Sequence, residues 1–165
     1  MPILDANTFE FISRSPEQTR RVGMRLGSLL QQGDVVCLDG DLGSGKTTLV
    51  QGLAAGWGST DLVSSPTFVL VNLYRRTDDQ LFAHLDAYRL NGPAEAEMLD
   101  LDELMAFGPL VIEWAPRIGS SLPAETLNVL LKWLEEEQRQ LVFEADGEHY
   151  QDMLSEFQQQ VFGVV

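Results

Sequence analysis

Cysteine, basic residues and long apolar runs are all scarce in this sequence. The single cysteine, Cys37, cannot form a disulfide within the chain, and its apolar surroundings favour a buried strand residue. No apolar run approaches the roughly 20 residues that a membrane span needs, and residues 1–5 carry no basic region followed by an apolar stretch. We therefore expect a cytoplasmic protein with no membrane segment and no signal peptide.

Positive charge is the second shortage. The sequence has 11 Lys and Arg residues and 25 Asp and Glu residues, which gives a formal net charge of −14. A surface of this sign repels the phosphate backbone, so tight and direct binding of nucleic acid by the chain alone is not expected. The acidic surface would suit solubility, or docking on a basic protein partner.

The remaining composition is that of an ordinary globular protein. Apolar residues make up 44% and charged residues 22% of the sequence. A chain of 165 residues is long enough to bury one apolar core without metals or disulfides. No repeat or linker interrupts it, so residues 1–165 are predicted to form a single domain.

The apolar spacing predicts helices and strands in alternation. Ser15 can cap a helix with Pro16 in its first turn and Gln18 completing a capping box, and Gly33 can end that helix. Further helices are predicted after residue 45, over residues 93–107 and around residues 150–157, and strands over residues 35–39, 67–75, 81–86, 110–113, 126–134 and 140–145. This order, together with the match of residues 40–47 to the phosphate-loop pattern G-x-x-x-x-G-K-[ST], indicates an α/β, three-layer fold of the P-loop NTPase kind, with flanking helices and a mixed, mostly parallel central sheet.

Residues 40–47, with the sequence GDLGSGKT, match the pattern G-x-x-x-x-G-K-[ST] in full. The glycines let the backbone curl so that several N–H groups point at one anion, and the following helix adds the positive end of its dipole. Lys46 supplies a cation for the β and γ phosphates, and the Thr47 hydroxyl is placed to ligate Mg²⁺. The loop therefore predicts a bound nucleoside triphosphate, ATP with Mg²⁺.

Two acidic residues stand at the ends of predicted strands. Asp86 follows residues 81–85, and Glu113 follows three aliphatic residues. A carboxylate at the tip of an apolar strand is costly to bury without a partner, and Mg²⁺ and Lys46 could be such partners. His84 shares a strand face with Asp86 and is interpreted as a structural, hydrogen-bonding histidine.

Four segments in this order resemble the TsaE family, the ATPases of bacterial tRNA threonylcarbamoyladenosine (t6A) synthesis. They are residues 40–48, residues 65–68 (SPTF), residues 84–90 (HLDAYRL) and residues 112–114 (IEW). The resemblance extends from the first helix to about Arg139.

The resemblance implies a set of site residues. It implies that Thr47 and Glu113 ligate Mg²⁺, that Lys46 and Asp86 serve catalysis, and that Thr67 belongs to a switch loop sensing the γ-phosphate. The nucleotide contacts that it implies are Gly43, Ser44, Gly45, Lys46, Thr47, Thr48, Trp114, Arg139 and the helix start at Pro16. It also implies ATP hydrolysis that drives a cycle with TsaB and TsaD, the proteins that transfer the threonylcarbamoyl group to the adenosine next to the anticodon, so that tRNA is reached only through the complex.

Other classes of phosphate-binding protein are less favoured by the sequence. A small-molecule kinase needs several arginines around its acceptor and a lid, whereas residues 95–103 are acidic. A GTPase would need an N-K-x-D motif, which is missing from the sequence. A nucleotide-controlled assembly module with slow hydrolysis stays open as an alternative.

Overall fold

The computed structural model describes residues 7–41, 43–63, 71–90 and 93–162, without the side chains of Arg89 and Pro93. The strands are β1 (Thr8–Ser13), β2 (Val35–Gly40), β3 (Val71–Arg75), β4 (Leu81–Asp86), β5 (Leu110–Glu113), β6 (Leu127–Trp133) and β7 (Arg139–Ala145). The helices are α1 (Pro16–Gly27), α2 (Lys46–Trp57), α3 (Pro93–Glu97), α4 (Leu101–Phe107) and α5 (Glu148–Phe162), with 3₁₀ segments at Ala87–Arg89 and Ala115–Ser121. None of the helices in these ranges has the length and apolar character to cross a bilayer.

All of these strands join one sheet in the order β1-β7-β6-β2-β5-β4-β3. The central pairs β6–β2, β2–β5 and β5–β4 are parallel, while the outer pairs β1–β7, β7–β6 and β4–β3 are antiparallel. Because β2, β5 and β4 are parallel neighbours in this order, their carboxyl ends meet at one edge of the sheet. The predicted mixed α/β sheet is confirmed.

Helices cover both faces of the sheet. On one face, alternate strand residues such as Val36 and Val111 pack with α1, α2 and α5 in one apolar core. On the other face, neighbours such as Cys37 and Ile112 pack with α3, α4 and the 3₁₀ segments in a second core. The alternation follows from the period of two in a strand, and it gives the predicted three layers.

Helix α1 begins as predicted but ends earlier. The Ser15 hydroxyl accepts a hydrogen bond from Gln18 N at 3.1 Å, and Gln18 Oε1 accepts one from Arg14 N at 2.7 Å. The helix ends at Gly27, so the prediction of an end at Gly33 was wrong. Tight turns over the next residues replace the helical bonds, and the positive φ of Gly33, 89°, serves the turn into β2 instead.

Two other predicted boundaries change. The helix predicted over residues 93–107 is divided into α3 and α4, and Asp100 caps the second piece by accepting a hydrogen bond from Glu103 N at 3.2 Å. Of the strand predicted over residues 67–75, the described part is β3, and residues 67–70 lie outside the described residues. Strand β1 was not predicted, although Phe9 within it is 1% exposed.

Candidate active site

The phosphate loop connects β2 to α2, and Leu42 within it lies outside the described residues. Gly43 and Gly45 have φ values of 82° and 104°, in the left-handed region that glycine adopts without steric cost. Gly45 caps α2 and, as a glycine, has no side chain with which to bond the amides of the first helical turn. These amides and the helix dipole suit an anion.

Ser44 adds an orphaned hydroxyl to this loop. The residue is 1% exposed, and its Oγ has no hydrogen-bond partner among the described residues. A Cβ added at Gly40 would lie 2.5 Å from this Oγ, so only glycine fits opposite it. Because buried hydroxyls normally have partners, the orphaned Ser44 hydroxyl fits a ligand that accepts a hydrogen bond, such as a phosphate oxygen. Thr47 and Thr48 follow, half-buried, in the first turn of α2.

Lys46 lies where the loop, β5 and the residue after β5 meet. Its Nζ donates to the Gly40 carbonyl at 2.6 Å and lies 3.7 Å from Glu113 Oε1. The same ammonium group lies 5.4 Å from the centroid of the Trp114 ring, within the range of a cation–π contact. The lysine of the motif is therefore held next to the predicted metal ligand.

Glu113 is a buried carboxylate at the end of β5, only 6% exposed. Its Oε2 lies 2.7 Å from Nε2 of His84, which is fully buried. Burial by itself raises the pKa of Glu113, but the hydrogen bond with His84 and electrostatic interactions with His84 and Lys46 outweigh it and hold the pKa below its ordinary value. Glu113 is thus ionised at neutral pH, as a metal ligand has to be.

Asp86 lies beside Glu113 in the sheet, since the two residues are register partners in β4 and β5. Its carboxylate begins the 3₁₀ segment by accepting a hydrogen bond from Tyr88 N at 2.9 Å. The structure therefore places Asp86 at the same edge of the sheet as Glu113, with one oxygen occupied by a local turn.

Trp114 and Tyr88 form an aromatic pair over the site. Trp114 has a φ of 62°, is 40% exposed and lies 5.0 Å from the Tyr88 ring, centroid to centroid. The Arg117 guanidinium lies 5.1 Å from the other ring, that of Tyr88. The prediction placed Trp114 near the nucleotide, and the structure brings it to Lys46.

Arg139, in β7, reaches the phosphate loop from the other side. Its Nε donates to the Gly43 carbonyl at 3.2 Å, and its Nη1 donates to carbonyls of the β6–β7 turn. Ser13 is its register partner in β1, so the helix start at Pro16, three residues further on, lies near the same edge. Thr67 lies outside the described residues.

The contact of His84 with Glu113 was missed by the sequence reasoning. His84 was interpreted as a structural hydrogen-bonding histidine, and it is indeed buried and bonded, but its partner is the predicted metal ligand. Part of the signal was in the sequence, because His84 and Asp86 lie two residues apart and therefore share one face of the predicted strand. The distance of 29 residues to Glu113 hid the partner.

A strand, a glycine-rich loop and a helix at the centre of a mixed sheet, with a lysine and a buried acid meeting over the loop, define a protein of the P-loop NTPase fold. Residues 13–141 match the family model described as "Threonylcarbamoyl adenosine biosynthesis protein TsaE". The chain belongs to the TsaE family, a family of tRNA threonylcarbamoyladenosine biosynthesis, and the resemblance stated above is confirmed.

Relatives from several bacteria support the same assignment. The chain is 37% identical over 143 residues to the tRNA threonylcarbamoyladenosine biosynthesis protein TsaE of Bacillus subtilis, covering 86% of this chain and 89% of the relative. It is 43% identical over 130 residues to the protein of that name from Nostoc, covering 75% and 78%. The crystal structure of Bacillus subtilis YdiB is 30% identical, with a TM-score of 0.78 over 93% of this chain and 95% of that one.

Proposed function

We propose that this protein is a Mg²⁺-dependent ATPase that supports formation of t6A in tRNA together with TsaB and TsaD. The observation that carries the proposal is the meeting of Lys46 Nζ and Glu113 Oε1 at 3.7 Å over a complete phosphate-loop motif. A P-loop enzyme needs a cation on the phosphates and a carboxylate on the metal side of the same site. We propose the cytoplasm as the compartment, because the substrate of the pathway is tRNA.

The loop supports phosphate binding by this chain. The amides of the first turn of α2, the orphaned Ser44 hydroxyl and the Lys46 ammonium converge on it. In the described structure Lys46 bonds to the Gly40 carbonyl, and we expect it to exchange this bond for phosphate oxygens when ATP binds. Arg139 contacts the loop, and we propose that the base lies on this side, towards the helix start at Pro16.

The residues also fit a magnesium ion. Glu113 is buried and ionised, and Thr47 lies in the first turn of α2. No cluster of three or more His, Cys, Asp or Glu side chains able to hold a metal occurs in the described ranges. Proteins usually bind Mg²⁺ through one or two carboxylates, while substrate phosphates and water complete the coordination shell. Glu113 would supply such a carboxylate. When bound, the ion would neutralise charge developing on the phosphates.

The proposed partners follow from the family and fit the charge of the chain. A net charge of −14 disfavours direct binding of tRNA, so contact with tRNA through TsaB and TsaD is the consistent arrangement. We propose that Asp86 and Thr67 act on the hydrolytic side of the site, as the resemblance implies.

Hydrolysis tests the site directly. We expect Lys46→Ala and Glu113→Ala each to abolish ATP turnover, measured as phosphate release with purified TsaB and TsaD present. Lys132 is the only other lysine and is exposed on β6, so Lys132→Ala is a matched control that should keep wild-type turnover. Wild-type rates in both site variants would contradict the assignment.

A nucleotide-controlled assembly module is the second candidate, favoured by the acidic surface. In that case ATP binding, and not its hydrolysis, would control association with TsaB and TsaD. A t6A-formation assay with purified TsaB, TsaD and tRNA, run with ATP, ADP or a non-hydrolysable analogue, separates the two. Equal t6A formation with ATP and with the analogue over many turnovers would favour the module, whereas loss of t6A formation with the analogue would favour the ATPase. A metabolite kinase would not co-purify with TsaB and TsaD at all.

A further inference from the structure

His84 is a fully buried polar side chain next to the site. It lies in β4, is 0% exposed, and its Nε2 is 2.7 Å from Glu113 Oε2. On the other side of the ring, Nδ1 lies 3.5 Å from the Tyr74 hydroxyl, at the long end of the hydrogen-bond range. Because an ionised carboxylate only accepts hydrogen bonds, Nε2 is the donor in the contact with Glu113.

The sheet register produces this contact. His84 is paired with Val111 across the parallel strands β4 and β5, and Glu113 lies two residues further along β5. Residues two apart in a strand share a face, so His84 reaches Glu113 diagonally on the face that carries α2 and the phosphate loop.

The two oxygens of Glu113 have different partners. Oε2 is occupied by His84, whereas Oε1 faces Lys46 at 3.7 Å. A carboxylate that is fixed through one oxygen cannot rotate freely, so the direction of its other oxygen is fixed as well. The oxygen that faces the loop is the one available to a metal ion on the phosphates.

We propose that His84 is a positioning residue that holds Glu113 with Oε1 directed at the phosphate loop and thereby strengthens the binding of the Mg²⁺–nucleotide complex. The inference rests on the proposed function, since it takes Glu113 as the magnesium ligand. In many metal sites a histidine binds the metal and a carboxylate or carbonyl orients that histidine through a hydrogen bond. Here the carboxylate of Glu113 would bind the metal, and His84 would orient the carboxylate.

The experiment compares two polar replacements of similar size. The side-chain amide of Gln in His84→Gln can approach the position of Nε2, whereas that of Asn in His84→Asn is too short to reach Glu113. The affinity of each variant for a non-hydrolysable ATP analogue is measured once with Mg²⁺ and once with EDTA. The quantity compared is the ratio of these two affinities. A purely structural role of His84 would lower both affinities together and leave the ratio unchanged.

We expect His84→Asn to reduce this ratio about 10–100-fold, the usual effect of removing a group that orients a metal ligand. His84→Gln should stay close to the wild-type ratio. His149→Asn is the matched control, because His149 Nε2 also lies 2.7 Å from a carboxylate, that of Asp34, but belongs to α5 away from the loop. Its ratio should equal that of the wild type.

Failure of the inference and failure of the proposed function give different results. If Glu113→Gln keeps the wild-type ratio, Glu113 is not the magnesium ligand and the proposed site is wrong. The positioning role of His84 is overturned if Glu113→Gln lowers the affinity ratio while His84→Asn and His84→Gln both keep the wild-type ratio. It is also overturned if the two His84 variants lower the ratio by the same factor.

Discussion

At the scale of single residues, Glu113 combines deep burial with ionisation. Its neighbours explain this: the hydrogen bond from His84 and the charge of Lys46 compensate for the loss of water around the carboxylate. A carboxylate whose pKa is lowered by folding binds fewer protons in the folded state than in the unfolded one. It therefore contributes stability above its ordinary pKa, and that contribution disappears as the pH falls through the lowered pKa.

The pH dependence of stability tests this balance. We expect the difference in unfolding free energy between wild type and Glu113→Gln to shrink as the pH falls below the ordinary value of 4.5, because the ionised form is what the fold favours. Urea titrations at several pH values measure it. A flat difference for Glu113→Gln would contradict the lowered pKa.

Cys37 is an unreactive thiol by the same kind of reasoning. Burial raises the pKa of Cys37 to about 11; a hydrogen bond with Thr126 acts against it, and the charge of Asp146 adds a smaller contribution in the same direction as burial. The residue is 7% exposed in the middle of β2. Since the thiolate is the nucleophile, the sole cysteine of the chain should be inert at pH 8.

Alkylation by iodoacetamide checks this expectation. Native protein at pH 8 should react roughly a hundredfold more slowly than urea-unfolded protein, which has the ordinary thiol pKa. Intact mass spectrometry counts the single adduct. Comparable rates in the native and unfolded protein would mean that the thiol is ionised or exposed in the fold.

At the scale of elements, close packing of α1 on α2 sets the position of the phosphate loop. Glycines spaced four apart on each helix line the contact, Gly23 and Gly27 on α1 with Gly52 and Gly56 on α2. A Cβ at Gly27 would overlap the backbone carbonyl of Leu53, so a side chain there would push the helices apart. Since Lys46 begins α2, such a shift would also move the loop.

Replacement of Gly27 by Ala tests the contact. Ala favours the helix itself, but the clash with the backbone of Leu53 should dominate and lower the free energy of unfolding by about 1–3 kcal/mol. Gly119 in the second 3₁₀ segment offers a matched control, because an added Cβ would meet nothing within 4 Å. Gly119→Ala should therefore leave the urea midpoint nearly unchanged. A neutral or stabilised Gly27→Ala protein would show that the helices can separate without cost.

At the scale of the whole molecule, the net charge of −14 is the dominant property. Like charges at this density repel one another in the compact state, and salt screens that repulsion. The sequence pI is about 4.3, so the repulsion is large at pH 7 and weaker near pH 5.

The melting temperature should consequently rise by a few degrees between about 20 mM and 300 mM NaCl at pH 7. Circular dichroism measures it, and chloride is preferred to sulfate because sulfate could occupy the phosphate loop. At pH 5 the same salt step should have a smaller effect. An equal rise at both pH values would point to a cause other than screening of the net charge.

Much of the site could be predicted from the sequence because it depends on neighbours in the chain. The left-handed turns at Gly43 and Gly45, the cap at Ser15 and the strand leading to Glu113 follow from glycine, proline and apolar spacing over a few residues. The early end of α1 and the division of residues 93–107 into two helices were missed, since local turns and the cap at Asp100 competed with apolar periodicity.

By itself, the sequence determined the phosphate loop, the alternation of strands and helices, and the family. Only the tertiary structure decided which groups meet there: His84 with Glu113 across 29 residues, Arg139 with Gly43 across 96, and a turn at Asp86 that occupies one of its oxygens. The physical reason is that these contacts depend on sheet order and register, which place β4, β5 and β7 around β2. Spacing along the chain carries no information about that order, whereas the hydrogen bonds of the folded sheet fix it.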